Sequence, residues 1–186
     1  MRRITKRLRL GVMSIFAAIL FVWASPQQTG AQQTVPTHIQ SVYTAIADAA
    51  DIPLLVPTTI PLSSPAELTE YWARGSSPNA DRYHISFDRE SDCTGVVECA
   101  FASVRGELDA ESIYSYQQLL AQPRNEEVVL ADGTRAVFSP HRGMGQYTPA
   151  SLYILRGRYL YTFNIYMADK ADVVAMANSA TFAYDR

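Results

Sequence analysis

The strongest constraint on the fold is a pair of alternating segments on either side of Arg156-Gly157. Apolar side chains take every second position both in 151–155 and in 158–166. Because a strand turns successive side chains to opposite faces, this pattern predicts two half-buried strands joined by a tight turn. In the register of such a hairpin, one face carries Leu152, Ile154, Tyr159, Tyr161, Phe163 and Ile165. A slip by one residue would turn all of these side chains to the opposite face of the sheet, so the register is well specified.

Further strands are predicted from the same kind of pattern. Asp132-Gly133 separates the apolar segments 128–131 and 134–138. Asp-Gly in that position is typical of a two-residue hairpin turn of the primed type. Alternation from Arg82 onward predicts another strand, and a further one is expected over 98–105.

Helical periodicity is found nearer the two ends of the chain. It predicts an N-terminal helix over 36–50 and a C-terminal helix that begins after Asp169. Asp169 is placed to cap this helix, with Asp172 in the first turn, where a negative charge is favourable. The expected buried stripe of the C-terminal helix comprises Val173, Met176, Ala177 and Ala180.

The segments between these elements are less regular. A short edge strand is expected over 54–56, and a short helix is expected after Ser64, ending at a loop over 75–78. A helix is one of the alternatives for 107–122. Together the patterns predict an α+β fold, in which an antiparallel sheet of five to seven strands has N- and C-terminal helices packed on it.

The N-terminus has the pattern of a secretory signal peptide. Its first nine residues contain five cations, and an apolar run of fifteen residues follows over 10–24. A membrane-spanning helix usually needs about 20 apolar residues, so a retained anchor is the less favoured alternative. Cleavage is expected after Ala31, with Ala24 as the other candidate. The expected organisation is a signal peptide over 1–31, a disordered lead-in over 32–35 and a single domain over 36–186.

The charge of the part after the signal peptide argues against polyanionic partners. All 18 acidic residues but only 11 of the 16 cations lie after residue 31, which gives this part a net charge of −7. Such a protein repels phosphate backbones and anionic membrane surfaces. We therefore expect no nucleic-acid partner. The signal-peptide pattern predicts a location in the periplasm or outside the cell.

The chain contains two cysteines, Cys93 and Cys99. In an exported protein an even count favours a disulfide, and closing so short a loop contributes about 2 kcal/mol. A redox pair usually has two intervening residues, and a zinc site needs further ligands nearby. A structural disulfide is therefore the favoured hypothesis.

Several short motifs occur along the chain: the opening Ile52-Pro53-Leu54-Leu55-Val56-Pro57, the cysteine loop, the hairpin 128–133, the segment 157–161 and the C-terminal Ala177-Asn178-Ser179. This combination resembles a family of small exported bacterial proteins without an assigned activity. The resemblance covers roughly 37–182. It implies an exported α+β module, and it carries no catalytic residue over to this chain.

Tyrosines are the main candidates for a binding surface. Tyr147, Tyr153 and Tyr166 are expected on the second face of the sheet together with Leu160. If no helix covers that face, an exposed apolar and aromatic patch results, which is typical of interaction sites. The alternative is that a helix covers the patch, as is usual for a sheet with two apolar faces.

Histidines and carboxylates are the candidates for catalysis or metal binding. His84 or His141 would act with the acidic segment Asp88, Glu90 and Asp92 in a hydrolytic or metal-assisted enzyme, provided that the fold brings them within hydrogen-bond reach. The same three acids are a candidate Ca²⁺ site, although Ca²⁺ prefers six to eight oxygen ligands. The alternative is a solvated acidic edge that prevents strand pairing. No nucleophile elbow or dinucleotide-binding glycine loop is found, so no catalytic residue and no cofactor is assigned.

The sequence therefore favours a non-catalytic exported module that binds another envelope protein or a small apolar ligand. A hydrolytic or metal-assisted enzyme is the alternative hypothesis. A purely structural envelope protein is a third, and the sequence does not separate it from the first.

Overall fold

Antiparallel pairing organises most of the chain. The computed structural model of the protein describes residues 37–61, 72–93, 99–108, 112–141 and 148–183, all within the compact unit Ala31–Arg186. The predicted signal peptide and lead-in lie outside the described residues. The helices are α1 (Thr37–Ala49), α2 (Ser112–Leu120) and α3 (Lys170–Asn178). The strands are β1 (Leu55–Pro57), β2 (Trp72–Asn79), β3 (Arg82–Asp88), β4 (Ala100–Leu108), β5 (Glu126–Val129), β6 (Arg135–Ser139), β7 (Pro149–Arg156), β8 (Tyr159–Tyr166) and β9 (Ala180–Phe182).

Seven strands form one antiparallel sheet with the order β2-β3-β4-β8-β7-β6-β5. This confirms the predicted antiparallel sheet at the upper end of its expected size. β1 and β9 pair with each other in a separate ribbon, which contains most of the edge strand predicted over 54–56. The large sheet is not a simple meander, because β4 pairs with β8 and the strands between them in sequence continue on the far side of β8.

The predicted division of the β7–β8 hairpin into two faces is confirmed, whereas its register differs from the prediction by two residues. Leu152 lies opposite Phe163, and both side chains are fully buried. The turn itself is Gly157-Arg158, one residue later than expected. Gly157 has a φ of 64°, a left-handed conformation that glycine adopts without strain.

The β5–β6 hairpin is also present, but its turn is longer than the predicted Asp132-Gly133. Leu130 N–H donates to the Thr134 carbonyl at 2.9 Å, and Gly133 N–H donates to the Leu130 carbonyl at 2.9 Å. The turn therefore has three residues, 131–133, and Gly133 is left-handed with a φ of 82°. A left-handed residue at the last position is typical of three-residue hairpin loops.

The prediction of a loop over 75–78 is wrong, because these residues belong to β2 at the edge of the sheet. An edge strand needs hydrogen-bond partners on one side only, so its glycine and its proline are tolerated. The pairing of β2 with β3 is irregular between Ser76 and Asn79. Most of the short helix predicted after Ser64 lies outside the described residues.

The helices near the two ends of the domain contribute to one hydrophobic cluster. In α3 the predicted N-cap Asp169 is confirmed, since its side chain accepts from Asp172 N–H at 3.1 Å. The predicted end of its stripe is wrong, because Ala180 begins β9. The buried residues are Val173, Met176 and Ala177 in α3, and Tyr43, Ile46 and Ala47 in α1. Within the described ranges, no helix combines the length and the apolar character needed to cross a membrane.

The large sheet has two faces of different character. On the core face, alternate residues of its central strands join α1, α3 and β1 in the main cluster, which includes Ile85, Val104, Leu152, Phe163 and Ile165. The opposite face, which we call the polar face, carries the intervening residues of the same strands. At one end of the polar face α2 packs through Tyr116 on Val137 and Leu160.

Three residues that lie side by side on the core face connect the β1–β9 ribbon to the large sheet. Tyr83, Gly106 and Tyr161 lie side by side on β3, β4 and β8. The Tyr83 hydroxyl accepts from Leu55 N–H at 3.1 Å and donates to the Leu55 carbonyl at 3.0 Å, and the Tyr161 hydroxyl donates to the Pro53 carbonyl at 3.0 Å. A Cβ atom at Gly106 would lie within 3.0 Å of three atoms of Tyr83. Glycine at this position therefore lets the Tyr83 ring lie across β4.

The predicted pairing of the two cysteines is confirmed. Cys93 and Cys99 form a disulfide at the ends of β3 and β4, with their Cα atoms 5.9 Å apart. Arg89 N–H donates to the Cys99 carbonyl at 3.1 Å. The covalent link and this hydrogen bond connect the turn after β3 to the start of β4.

Tyr83→Phe is expected to lower the free energy of unfolding by about 1–3 kcal/mol, because it leaves the backbone N–H and carbonyl of Leu55 buried without their partner. Chemical denaturation of both proteins measures the difference. The matched control is Tyr159→Phe, since the Tyr159 hydroxyl makes no hydrogen bond within the described residues. Equal stabilities of the two variants would show that the Leu55 contact is unimportant.

Candidate ligand-binding site

A row of hydroxyl and amide side chains crosses the polar face. Because each strand turns alternate residues to this face, the antiparallel register sets them side by side. The row runs over five neighbouring strands and comprises Ser139, Ser151, Asn164, Ser103 and Ser86. Only 5% of Ser103, 8% of Ser139 and 7% of Ser151 is exposed. Polar groups buried to this extent require hydrogen-bond partners.

Two hydrogen bonds join the three central residues of the row, and both donate in the same direction along it. Ser151 Oγ donates to Asn164 Oδ1 at 2.7 Å, and Asn164 Nδ2 donates to Ser103 Oγ at 3.1 Å. Ser151 has thus used its hydroxyl proton and retains lone pairs as acceptors. Ser103 accepts, and its own hydroxyl proton has no acceptor within the described ranges.

Two clefts open on the polar face, and Arg105 borders both. The first, which we call the serine cleft, has a volume of about 500 Å³. Ser139, Ser151 and Asn164 of the row line it together with Thr162, and Leu119 at the C-terminal end of α2 contributes part of its wall. Its lining consists of Arg105, Glu107, Leu119, Gln122, Ser139, Pro140, Thr148, Pro149, Ser151, Tyr153, Thr162 and Asn164.

The second cleft, which we call the arginine cleft, has a volume of about 400 Å³. Its lining consists of Arg82, Tyr83, His84, Ser103, Arg105, Asn164 and Tyr166. It shares Arg105 and Asn164 with the serine cleft. Both volumes are typical of sites for small molecules, and the shared residues allow one ligand to extend from one cleft into the other.

The charges around the clefts come from neighbouring strands. Arg105 Nη2 forms an ion pair with Glu107 Oε2, and both side chains lie on the polar face of β4. Arg82 lies opposite Glu107 on β3. The contact with Glu107 uses one of the five N–H donors of the Arg105 guanidinium. Donors of Arg105 are thus left for a ligand.

His84 lies opposite Arg105 and borders the arginine cleft. Its partial burial lowers the pKa of the imidazole below its usual value, and the nearby guanidinium of Arg105 lowers it further. The carboxylate of Asp88 offsets part of this shift. His84 is therefore neutral near pH 7 and adds hydrogen-bonding capacity without charge.

The predicted tyrosine surface is only partly accessible. Tyr153, Leu160 and Tyr166 lie on the polar face, but Leu160 is buried, with 5% of its surface exposed, in the contact with α2. Tyr153 and Tyr166 are half-buried and line the serine cleft and the arginine cleft, respectively. Tyr147 lies outside the described residues. A helix thus covers one end of the predicted patch, and the remainder borders polar clefts.

The structure does not bring His141 and the acidic segment together. His141 follows β6, where its Nδ1–H donates to the Thr148 carbonyl, whereas Asp88 ends β3. Four strand spacings separate β6 from β3, a distance of about 19 Å. His84 is on the same strand as Asp88, about 13 Å away between Cα atoms. The structure therefore gives the enzyme hypothesis no acid–base pair between His141 and Asp88, because such a pair needs hydrogen-bond reach.

The three acids considered as calcium ligands have different environments. Asp88 is buried, with 1% of its surface exposed, whereas Glu90 and Asp92 are exposed in the turn after β3. Asp88 Oδ2 is 3.4 Å from Arg74 Nε, and neither of its oxygens accepts a hydrogen bond. Within the part of the chain that the structure describes, no group of three His, Cys, Asp or Glu side chains is arranged to hold a metal ion. Asp88 thus acts as the charge partner of Arg74.

Sequence reasoning did not identify the residues of the row or Arg105. One signal was present, because alternation in the β7–β8 hairpin places Ser151 and Asn164 on the same face, although the predicted turn would set Ser151 opposite Thr162. The pairing of β4 with β8 is not local in sequence. Without knowledge of that pairing, the alternation of Ser103 and Arg105 along β4 indicates a polar face. It does not indicate which residues of other strands lie beside them.

Comparisons with known proteins do not assign the chain to a family. No family model matches it, and no curated protein or solved structure is significantly similar to it. The resemblance to small exported bacterial proteins therefore stays a prediction. Function has to be inferred from the site itself.

NMR titration of the His84 imidazole is expected to give a pKa below 6.5, the usual value. Arg105→Gln should raise this pKa, because it removes a repelling charge, and Asp88→Asn should lower it further. Since the folded protein binds this proton less tightly than the unfolded chain, His84 should reduce stability as the pH falls below 6.5. A pKa at or above 6.5, or no change in Arg105→Gln, would contradict this account of the cleft.

Proposed function

We propose that this protein is a non-catalytic exported binding module whose two clefts hold one small polar ligand. The row of the polar face, with Ser103, Ser139 and Ser151 buried, is the observation that carries the proposal. Burying hydroxyl and amide groups is unfavourable unless they are hydrogen-bonded, so a sheet face that serves only for packing is normally apolar. Here four residues of the row, all but Ser86, line open clefts, where a ligand can complete their hydrogen bonds.

The lining favours a polar ligand over the apolar one expected from the tyrosines. Ser103 supplies a donor, Ser151 supplies lone pairs, and Thr162 lies between Arg105 and Tyr153 in the sheet. Together with the Asn164 amide, these groups match a ligand that carries several hydroxyl or amide groups. The half-buried rings of Tyr153 and Tyr166 supply flat apolar surfaces beside them.

Other parts of the chain support the proposed location of this module and the accessibility of its polar face. The basic and apolar N-terminal segments support export to the periplasm or beyond, and the Cys93–Cys99 disulfide suits an oxidising compartment. The shared cluster of α1, α3 and the core face supports an α+β arrangement with these two helices packed on the sheet. In that arrangement the polar face is the side of the sheet available to a ligand.

The proposal is tested by NMR with the isotope-labelled protein recovered from a producing host without reduction. The probes are glucose, glucuronate, glucose 6-phosphate, serine and succinate, each added to millimolar concentration. Binding is expected to shift the signals of Ser103, Ser151, Thr162 and Asn164 more than those of α1 and α3. Failure of every probe to shift these signals, or shifts confined to the core face, would overturn the proposal.

A blocking variant shows whether the clefts themselves are responsible. Thr162→Tyr places a larger ring in the serine cleft and is expected to weaken probe binding about tenfold or more, since it removes both space and a hydroxyl group. Thr181→Tyr makes the same change on exposed β9 and should leave binding unaltered. Equal binding by both variants would place the ligand elsewhere.

A further inference from the structure

The arginine cleft differs from its surroundings in charge. Two arginines and one histidine line it, and no carboxylate is found among the described residues of the lining. The part of the chain after residue 31 has a net charge of −7, so a cluster of cations on a ligand cleft is contrary to the general charge of the protein. Resting on the ligand site proposed above, we infer that this cleft binds the carboxylate of a hydroxylated organic acid.

The positions of the donors suit a single anionic group. Arg82 lies opposite Glu107, and His84 lies opposite Arg105, so Arg82 and Arg105 are diagonal neighbours on adjacent strands. Diagonal positions are about 7–8 Å apart, within reach for long side chains. Two guanidinium groups can therefore approach one carboxylate, and such charge-assisted hydrogen bonds are stronger than neutral ones. The hydroxyl proton of Ser103, which has no acceptor among the described residues, adds a donor in the lining of the cleft.

The balance of charge favours a monoanion. Glu107 forms an ion pair with Arg105 and lies opposite Arg82, so these three residues together carry a single net positive charge. His84 is neutral near pH 7, because burial and Arg105 lower its pKa. A carboxylate matches this charge, whereas a doubly ionised phosphate leaves one negative charge without a partner. We therefore assign a carboxylate rather than a phosphate group.

The rest of the ligand is defined by the shared boundary of the two clefts. Arg105 and Asn164 border both, so the body of an acid held at Arg82 and Arg105 extends into the serine cleft. There it meets the lone pairs of Ser151 and the side chain of Thr162. Acceptors of this kind suit hydroxyl groups on the ligand. A sugar acid has both parts, the carboxylate and the hydroxylated body.

Three probes with the same ring test the inference: glucose, glucuronate and glucose 6-phosphate. Dissociation constants are measured by NMR titration of the Ser103 and Asn164 signals. Glucuronate is expected to bind about tenfold or more tightly than glucose, as a charge-assisted hydrogen bond implies, and more tightly than glucose 6-phosphate. Binding of glucose and glucuronate with equal affinity would overturn the inference while leaving the ligand site intact. Tighter binding of glucose 6-phosphate would overturn the choice of carboxylate.

Charge variants make the test specific to the cleft. Arg105→Gln and Arg82→Gln should each remove about tenfold or more of the preference for glucuronate. Glu107→Gln should strengthen glucuronate binding by about twofold to fivefold, because it releases Arg105 from a competing carboxylate. Arg158→Gln, in the β7–β8 turn, is the control with the same change of charge and should have no effect. Loss of affinity in Glu107→Gln, or an equal loss in Arg158→Gln, would contradict the assignment.

Discussion

The hydroxyl group of Tyr83 binds both the N–H and the carbonyl of Leu55, and much of the structure depends on this contact. It joins the β1–β9 ribbon to the large sheet, and through β9 it fixes the end of α3. The contact requires Gly106 on the next strand, since any Cβ atom there would meet the Tyr83 ring. Burial raises the pKa of Tyr83 well above its usual value, so the hydroxyl keeps the proton that it donates to Leu55.

The same strand segment has opposite roles on its two faces. Gly106 turns to the core face, where it allows the tyrosine contact, while Arg105 and Glu107 on either side of it turn to the polar face. The apolar packing of one face thus fixes the positions of the charged groups on the other. α2 covers only one end of the polar face, by packing on Val137 and Leu160. The clefts occupy other parts of that face.

The sequence predicted those features whose interacting residues are close together along the chain. The two faces of the β7–β8 hairpin followed from alternation along its strands, and the Asp169 cap followed from residues in one helical turn. The pairing of β4 with β8 joins residues far apart in the chain, and no local pattern specifies it. Edge strand β2 was missed for another reason, because its glycine and proline are turn signals that an edge position overrides. The candidate site was therefore only partly foreseen, through Tyr153, Tyr166 and His84.

The amide of Asn164 has a consequence for the orientation in which the proposed ligand would bind. An amide donates at one end and accepts at the other, so it gives the row a polarity: Ser151 presents lone pairs and Ser103 presents a proton. A symmetrical row of hydroxyl groups would reorient for a molecule bound either way round. This row would favour one orientation of a ligand. The reversed orientation would set donor against donor at Ser103 and acceptor against acceptor at Ser151. For the ligand proposed above, the row would thus select the orientation of binding as well as the kind of polar groups.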